Sequence, residues 1–156
     1  MNIIPNIGSS EVVVIGGMIM PKSNLICLVA YMASGSKNAT FRKTNGTAGY
    51  TPSGTKKFVT RAIEVNAAIT AAAGGVDVML SQGDTDLGMN SASAVSNPVY
   101  FGGHNSSYIF NAAEYGAAKK FERAIPNFEV ANGKYLCVSG TTAMGDKQIH
   151  VYGYEE

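Results

Sequence analysis

Lys57-Phe58-Val59-Thr60-Arg61-Ala62-Ile63-Glu64-Val65-Asn66 reads as an alternating β-run, with Phe58 and Ile63 near its ends and Thr60, Arg61 and Glu64 between them. It follows Pro52-Ser53-Gly54, a turn signal. The same grammar extends both ways along the chain. Further β-runs are expected over 11–15, 24–32, 39–44, 76–82, 98–101, 127–130, 134–139 and 148–154. Asn45-Gly46, Gly74-Gly75, Asn132-Gly133 and Gly145-Asp146 punctuate them. Residues 25–30 are continuously apolar, as a strand covered on both faces would be. Short strands at this spacing predict an all-β fold: a two-layer antiparallel β-sandwich, jelly-roll-like, with at most one short helix. The open segment is 111–123. It is Ala-rich, with Tyr115, Lys119 and Arg123 four apart, and reads equally as a short helix or as a strand of the jelly roll. Residues 66–73 raise the same question, and Gly74-Gly75 after them favours a long loop.

A chain of 156 residues is one domain's worth, able to bury a core without metal or disulfide staples. We divide it into 1–23, an N-terminal extended arm and first strand, and 24–156, the sandwich domain. Hydrophobic residues make up 46%, which excludes wholesale disorder. Charged residues are only 15% and the net charge is +1. That balance excludes a nucleic-acid partner held by clustered Lys and Arg, and it lowers the repulsion between copies. No run reaches the ~18 apolar residues of a membrane span. Residues 1–8 are apolar without a basic region, so no signal peptide is expected. Cys27 and Cys137 each lie in an apolar run and read as buried free thiols.

No catalytic motif stands out, and no cofactor is expected. The nucleophile elbow, the paired-histidine zinc helix and the phosphate-cradling glycine loop are missing from the sequence. The two histidines, His104 and His150, stand apart. Asp84 and Asp86 are the metal candidates, since two carboxylates in a loop suit calcium. Nothing around them completes an EF-hand loop, and they read as a polar strand end. Asn38, Asn45 and Asn105 begin glycosylation sequons by spelling but fit turns as well. Of eight tyrosines, Tyr152 and Tyr154, with Tyr135 and Tyr31, read as core or subunit interface before sugar platform. Lys56, Lys57, Lys119, Lys120 and Arg123 form short basic pairs, solvated or facing an acidic partner. Turn, glycine, lysine, aromatic recurs at 52–58 and 130–135, which would suit two turns at one end of a sandwich.

From Phe41 onward the chain resembles the β-sandwich accessory proteins of tailed bacteriophage virions, such as capsid decoration or cement proteins. The features are Phe41-Arg42-Lys43-Thr44-Asn45-Gly46-Thr47 running into Gly49-Tyr50-Thr51-Pro52, the β-run after it, a strand ending at Gly83-Asp84-Thr85-Asp86, and the close at Asn132-Gly133-Lys134-Tyr135 with Val151-Tyr152-Gly153-Tyr154. The resemblance implies a jelly-roll-like module that homotrimerises on the capsid surface of a virion, with the major capsid protein as partner. No enzyme activity is implied. The alternative is a tail or fibre module that recognises a host surface glycan. Ile3, Ile4 and Ile7 are too apolar for a free tail, and Pro5 and Gly8 deny them a helix. An arm burying them on a neighbour, with an interface near Tyr152 and Tyr154, is the expectation; an ordinary first strand of the sandwich is the other reading.

Overall fold

The computed structural model describes residues 11–33, 38–67, 78–83, 97–100, 119–125, 128–140 and 147–156, and every regular element among them is a strand. In chain order these are β1 (Val12–Ile15), β2 (Met18–Pro21), β3 (Ile26–Met32), β4 (Asn38–Thr40), β5 (Arg42–Lys43) and β6 (Phe58–Ala67). Then follow β7 (Val78–Gly83), β8 (Asn97–Tyr100), β9 (Lys119–Ala124), β10 (Glu129–Val130), β11 (Tyr135–Gly140) and β12 (Lys147–Glu155).

The pairing is nested. β3 pairs with β12, β4 with β11, β6 with β9 and β10, and β7 with β8, all antiparallel. A long two-stranded ribbon is thereby laid down, and it closes on itself where β12 also pairs with β6 and β11 with β7. The result is one sheet ordered β5-β3-β12-β6, with β9 and β10 along the far side of β6, and a second ordered β4-β11-β7-β8. That is the rolled ribbon of a jelly roll, so the expected two-layer antiparallel sandwich is what the chain forms. β1 and β2 make a separate hairpin.

Side chains alternate faces along a strand, so every second residue enters the core. Leu28, Ala30 and Met32 of β3, Ile63 and Val65 of β6, and Ile149 and Val151 of β12 are buried against Leu80, Leu136 and Val138 of the second sheet. Phe41, Phe58 and Phe128 fill the same core. β3 is therefore buried on its sandwich face, while Cys27 and Val29 on the other face are half-buried and Tyr31 is exposed.

The run 57–66 departs from clean alternation. Phe58 and Ile63 are both in the core although five residues apart, an odd spacing that a regular strand cannot place on one face. A β-bulge resolves this. Tyr152 opposes Ala62, but Gly153 opposes Thr60, leaving Arg61 as the extra residue. The bulged backbone then comes so close that a Cβ on Gly153 would lie 2.2 Å from the Val59 carbonyl oxygen. On the other side of β6, the Arg61 carbonyl accepts the Ile125 N–H at 2.7 Å, and the Phe128 carbonyl accepts both the Thr60 N–H and its hydroxyl.

The expected strand 39–44 divides at Phe41. β4 belongs to the small sheet and β5 to the large one, so the chain turns a corner between layers with the Phe41 ring fully buried at the bend. The Phe41 carbonyl accepts the N–H groups of Gly49 and Tyr50, both at 3.0 Å, which closes the Asn45-Gly46 loop. In segment 111–123, the described part is strand β9 and not helix. Six consecutive residue pairs with β6 outweigh a helix propensity worth only tenths of a kcal/mol per residue. The recurring turn motif places two turns in contact, the Asn132 amide donating to the Gly54 and Lys56 carbonyls. Lys57 Nζ meets both Glu129 carboxylate oxygens at 2.9 Å beside them.

Glu155 ties this end of the sandwich together. Its carboxylate accepts the Tyr50 hydroxyl at 2.8 Å, the Ser53 N–H at 3.2 Å and the Ser53 hydroxyl. Burial pushes its carboxyl pKa up, but the Ser53 and Tyr50 donors and the Lys43 ammonium outweigh burial, leaving it below the ordinary value. The stabilisation is therefore in place above the ordinary carboxylate pKa and is lost as pH falls through the lower folded value. Thermal melts from about pH 6 to about pH 3 should show a steeper loss of stability for the natural chain than for Glu155→Gln, and equal slopes would contradict the assignment. Gly153→Ala should cost about 3 kcal/mol or more, a drop of about 10 °C in melting temperature, or prevent folding outright.

Candidate functional site

The face of the large sheet turned away from the sandwich carries the alternate set of side chains. The register aligns them in rows. Val29, His150, Glu64 and Glu122 lie side by side across four strands, and Cys27, Tyr152, Ala62 and Ala124 form the next row. Glu64 and Glu122 are directly opposed carboxylates, an arrangement that repels unless donors intervene. Donors do intervene. The Asn66 amide donates to Glu64 Oε1 at 2.9 Å, and His150 Nδ1 lies 3.2 Å from the same oxygen. Glu122 Oε2 accepts the Gly16 backbone N–H at 3.1 Å, a bond that reaches it from the β1–β2 turn.

That turn holds the hairpin onto the sheet. Gly16 has a φ of 58°, and a Cβ there would stand 2.6 Å from backbone atoms of Arg123 on β9. At the other end the Tyr154 hydroxyl donates to the Pro21 carbonyl at 2.5 Å. Between these two clips Ile15 and Met20 bury themselves on Ala62, with Val13, Met18, Leu25, Tyr152 and Tyr154 packed around them. The hairpin's opposite face is apolar too. Val14 and Ile19 are cross-strand partners exposed by 54% and 65%, and the neighbouring pair is Val12 with Pro21. This continuous apolar tile is the surface of the described chain least explained by its own fold.

Cys27 lies beneath the same region. Burial pushes its thiol pKa up, a hydrogen bond with Tyr152 works against that, and the balance is a raised value. Burial likewise raises the Tyr152 hydroxyl, helped by Cys27 and Glu64. A thiol held protonated is a weak nucleophile.

Of the residues singled out in the sequence, Tyr152 and Tyr154 are on β12 under the hairpin, where they pack within their own chain. Tyr31 shares that outer face, but Tyr135 is on β11 of the other sheet. Both cysteines are free, Cys137 buried and Cys27 half-buried. Ile3, Ile4, Ile7, Asp84, Asp86, His104 and Asn105 lie outside the described residues. Among the described residues no three His, Cys, Asp or Glu side chains are grouped to hold a metal, and no helix is long and apolar enough to cross a membrane. The His150–Glu64–Glu122 row escaped sequence reading because only strand register brings residues 64, 122 and 150 together.

No family model, no curated protein and no solved structure matches this chain.

Two glycines test the docking of the hairpin. Gly16→Ala must displace β9 and should cost about 3 kcal/mol, whereas Gly17→Ala, which meets nothing within 4 Å, should cost only about 1 kcal/mol for its left-handed backbone. Equal melting temperatures for the two variants would show that the turn does not rest on β9. Alkylation of the folded chain should label Cys27 slowly and Cys137 only after denaturation.

Proposed function

We propose that this chain is a structural protein of a virion, a capsid decoration or cement protein on the capsid surface, acting as a homotrimer that bridges copies of the major capsid protein. The observation carrying this reading is the exposed apolar tile of Val12, Val14, Ile19 and Pro21. In sequence it directly follows the isoleucine-bearing segment 1–8. Apolar surface of this kind gains about 25 cal/mol per Å² when a neighbour covers it. Each isoleucine buried by a strand-adding arm contributes about 1.5–3 kcal/mol before ordering costs. The small net charge leaves little repulsion to oppose close packing of copies. A jelly roll supplies a rigid tile, a use the architecture has in viral capsids, although fold by itself does not choose function. A protein bound across subunit junctions stabilises the assembled shell by mass action, with no chemistry required.

The competing reading, a tail or fibre module that binds a host glycan, draws on one observation, an open groove beside Tyr31. Co-sedimentation separates the two. The purified chain should pellet with expanded empty capsids, whether or not host cells also retain it. Deleting residues 1–8, or substituting Val14→Lys with Ile19→Lys, should leave the unfolding free energy within about 0.5 kcal/mol of the natural chain's while weakening capsid attachment. Attachment to cells alone, or variants that bind capsids unchanged, would refute the assembly reading.

A further inference from the structure

An open groove of about 590 Å³ lies at the β3–β5 side of the outer face, away from the hairpin's clips, and falls in the size range of small-ligand sites. Its lining is Val29 and Tyr31 of β3, Gln148 of β12, Arg42 of β5, Thr40 of β4 and the nearby alanines 39 and 48. Strand register builds it. Tyr31 is the cross-strand partner of Gln148, and Arg42 is the partner of Val29, so an aromatic ring, an amide and a guanidinium are fixed on three adjacent strands.

We propose that this groove binds a saccharide bearing a carboxylate, whether the chain sits on a capsid or on a tail. Tyr31 is 56% exposed beside the concavity, and an aromatic face is suited to the C–H face of a sugar ring. Gln148 offers both donors and an acceptor to sugar hydroxyls, and the Thr40 hydroxyl can do either. The alanines and Val29 keep the walls low and apolar. Arg42 supplies the charge selection. It has no ion-pair partner among the described residues, and the lining contains no carboxylate to compete for it. A guanidinium presents a fork that matches a carboxylate in two parallel hydrogen bonds. One arginine in a groove is too little charge to hold a nucleic acid, which leaves a small anionic ligand as the better fit.

The full-length chain, fluorescently labelled, can be applied to an array carrying sialic-acid- and uronic-acid-terminated glycans beside their desialylated or carboxyl-reduced counterparts. Binding to acid-terminated glycans is expected, with the neutral counterparts weaker by about tenfold or more, the scale of one charged hydrogen-bonded pair. Calorimetry on the best array glycan then uses two variants at exposed positions. Arg42→Gln should remove the acid-over-neutral preference and leave weak binding, and Tyr31→Ala should remove binding of both forms. Arg42→Gln should melt with the natural chain and Tyr31→Ala should still unfold cooperatively, which separates lost recognition from lost fold. The proposal is overturned if no acid-terminated glycan is retained, if neutral and acidic forms bind equally, or if neither substitution changes binding.

Discussion

Strand β12 has hydrogen-bonded neighbours on both sides, β3 and β6, and every other feature of the molecule depends on that double pairing. It joins the first strand of the rolled ribbon to the strand that begins its second turn. Without it β3 and β5 would have no sheet to belong to, and the nested pairs would remain an open ribbon with unpaired edges. Its sandwich face puts Ile149 and Val151 into the core, and its outer face presents His150, Tyr152 and Tyr154 to the hairpin and the polar row. Glu155 then pulls the Tyr50 and Ser53 loop onto the end of the same strand. The pairing is geometrically demanding. The bulge at Arg61 lets β6 keep both Phe58 and Ile63 inside, and only a glycine at 153 lets β12 follow that bulge.

The β architecture was legible because its signals are local. Turn residues such as Asn45-Gly46 and Asn132-Gly133 mark chain reversals regardless of tertiary context, and the β-runs between them are too short for anything but strands. Departures arose where a neighbour decides. Lys119–Ala124 has helix-forming residues, yet a free edge of β6 claims it as a strand. Phe41 interrupts an expected strand because the chain changes sheet there, which no local pattern reports. The bulge did leave a trace, the odd spacing of Phe58 and Ile63 within a run otherwise taken to alternate. The outer-face cluster of Glu64, Glu122 and His150 left none, since like charges 58 positions apart in sequence mean nothing until strand register is known.

Two properties of the outer face pull the functional reading in compatible directions. The hairpin end is apolar on both of its faces, one turned into its own sheet and one outward. The β3–β5 end is polar and concave around Tyr31, Arg42 and Gln148. An assembly tile and a ligand groove can share one sheet because they occupy opposite ends of it. The Glu64–His150 pair lies between them, its carboxylate already engaged by Asn66, so it serves the sheet's own cohesion.

Native-state hydrogen exchange, resolved by residue, tests the dependence on β12 most directly. Amides that open only when the whole domain unfolds exchange slowest, at the free energy of global unfolding. The account predicts that residues 149–153 belong to that slowest class together with their partners on β3 and β6, while the edge strands β5 and β10 exchange faster. Exchange of β12 at or above the rate of those edges would contradict it, because a strand that frays on its own cannot be what closes the roll.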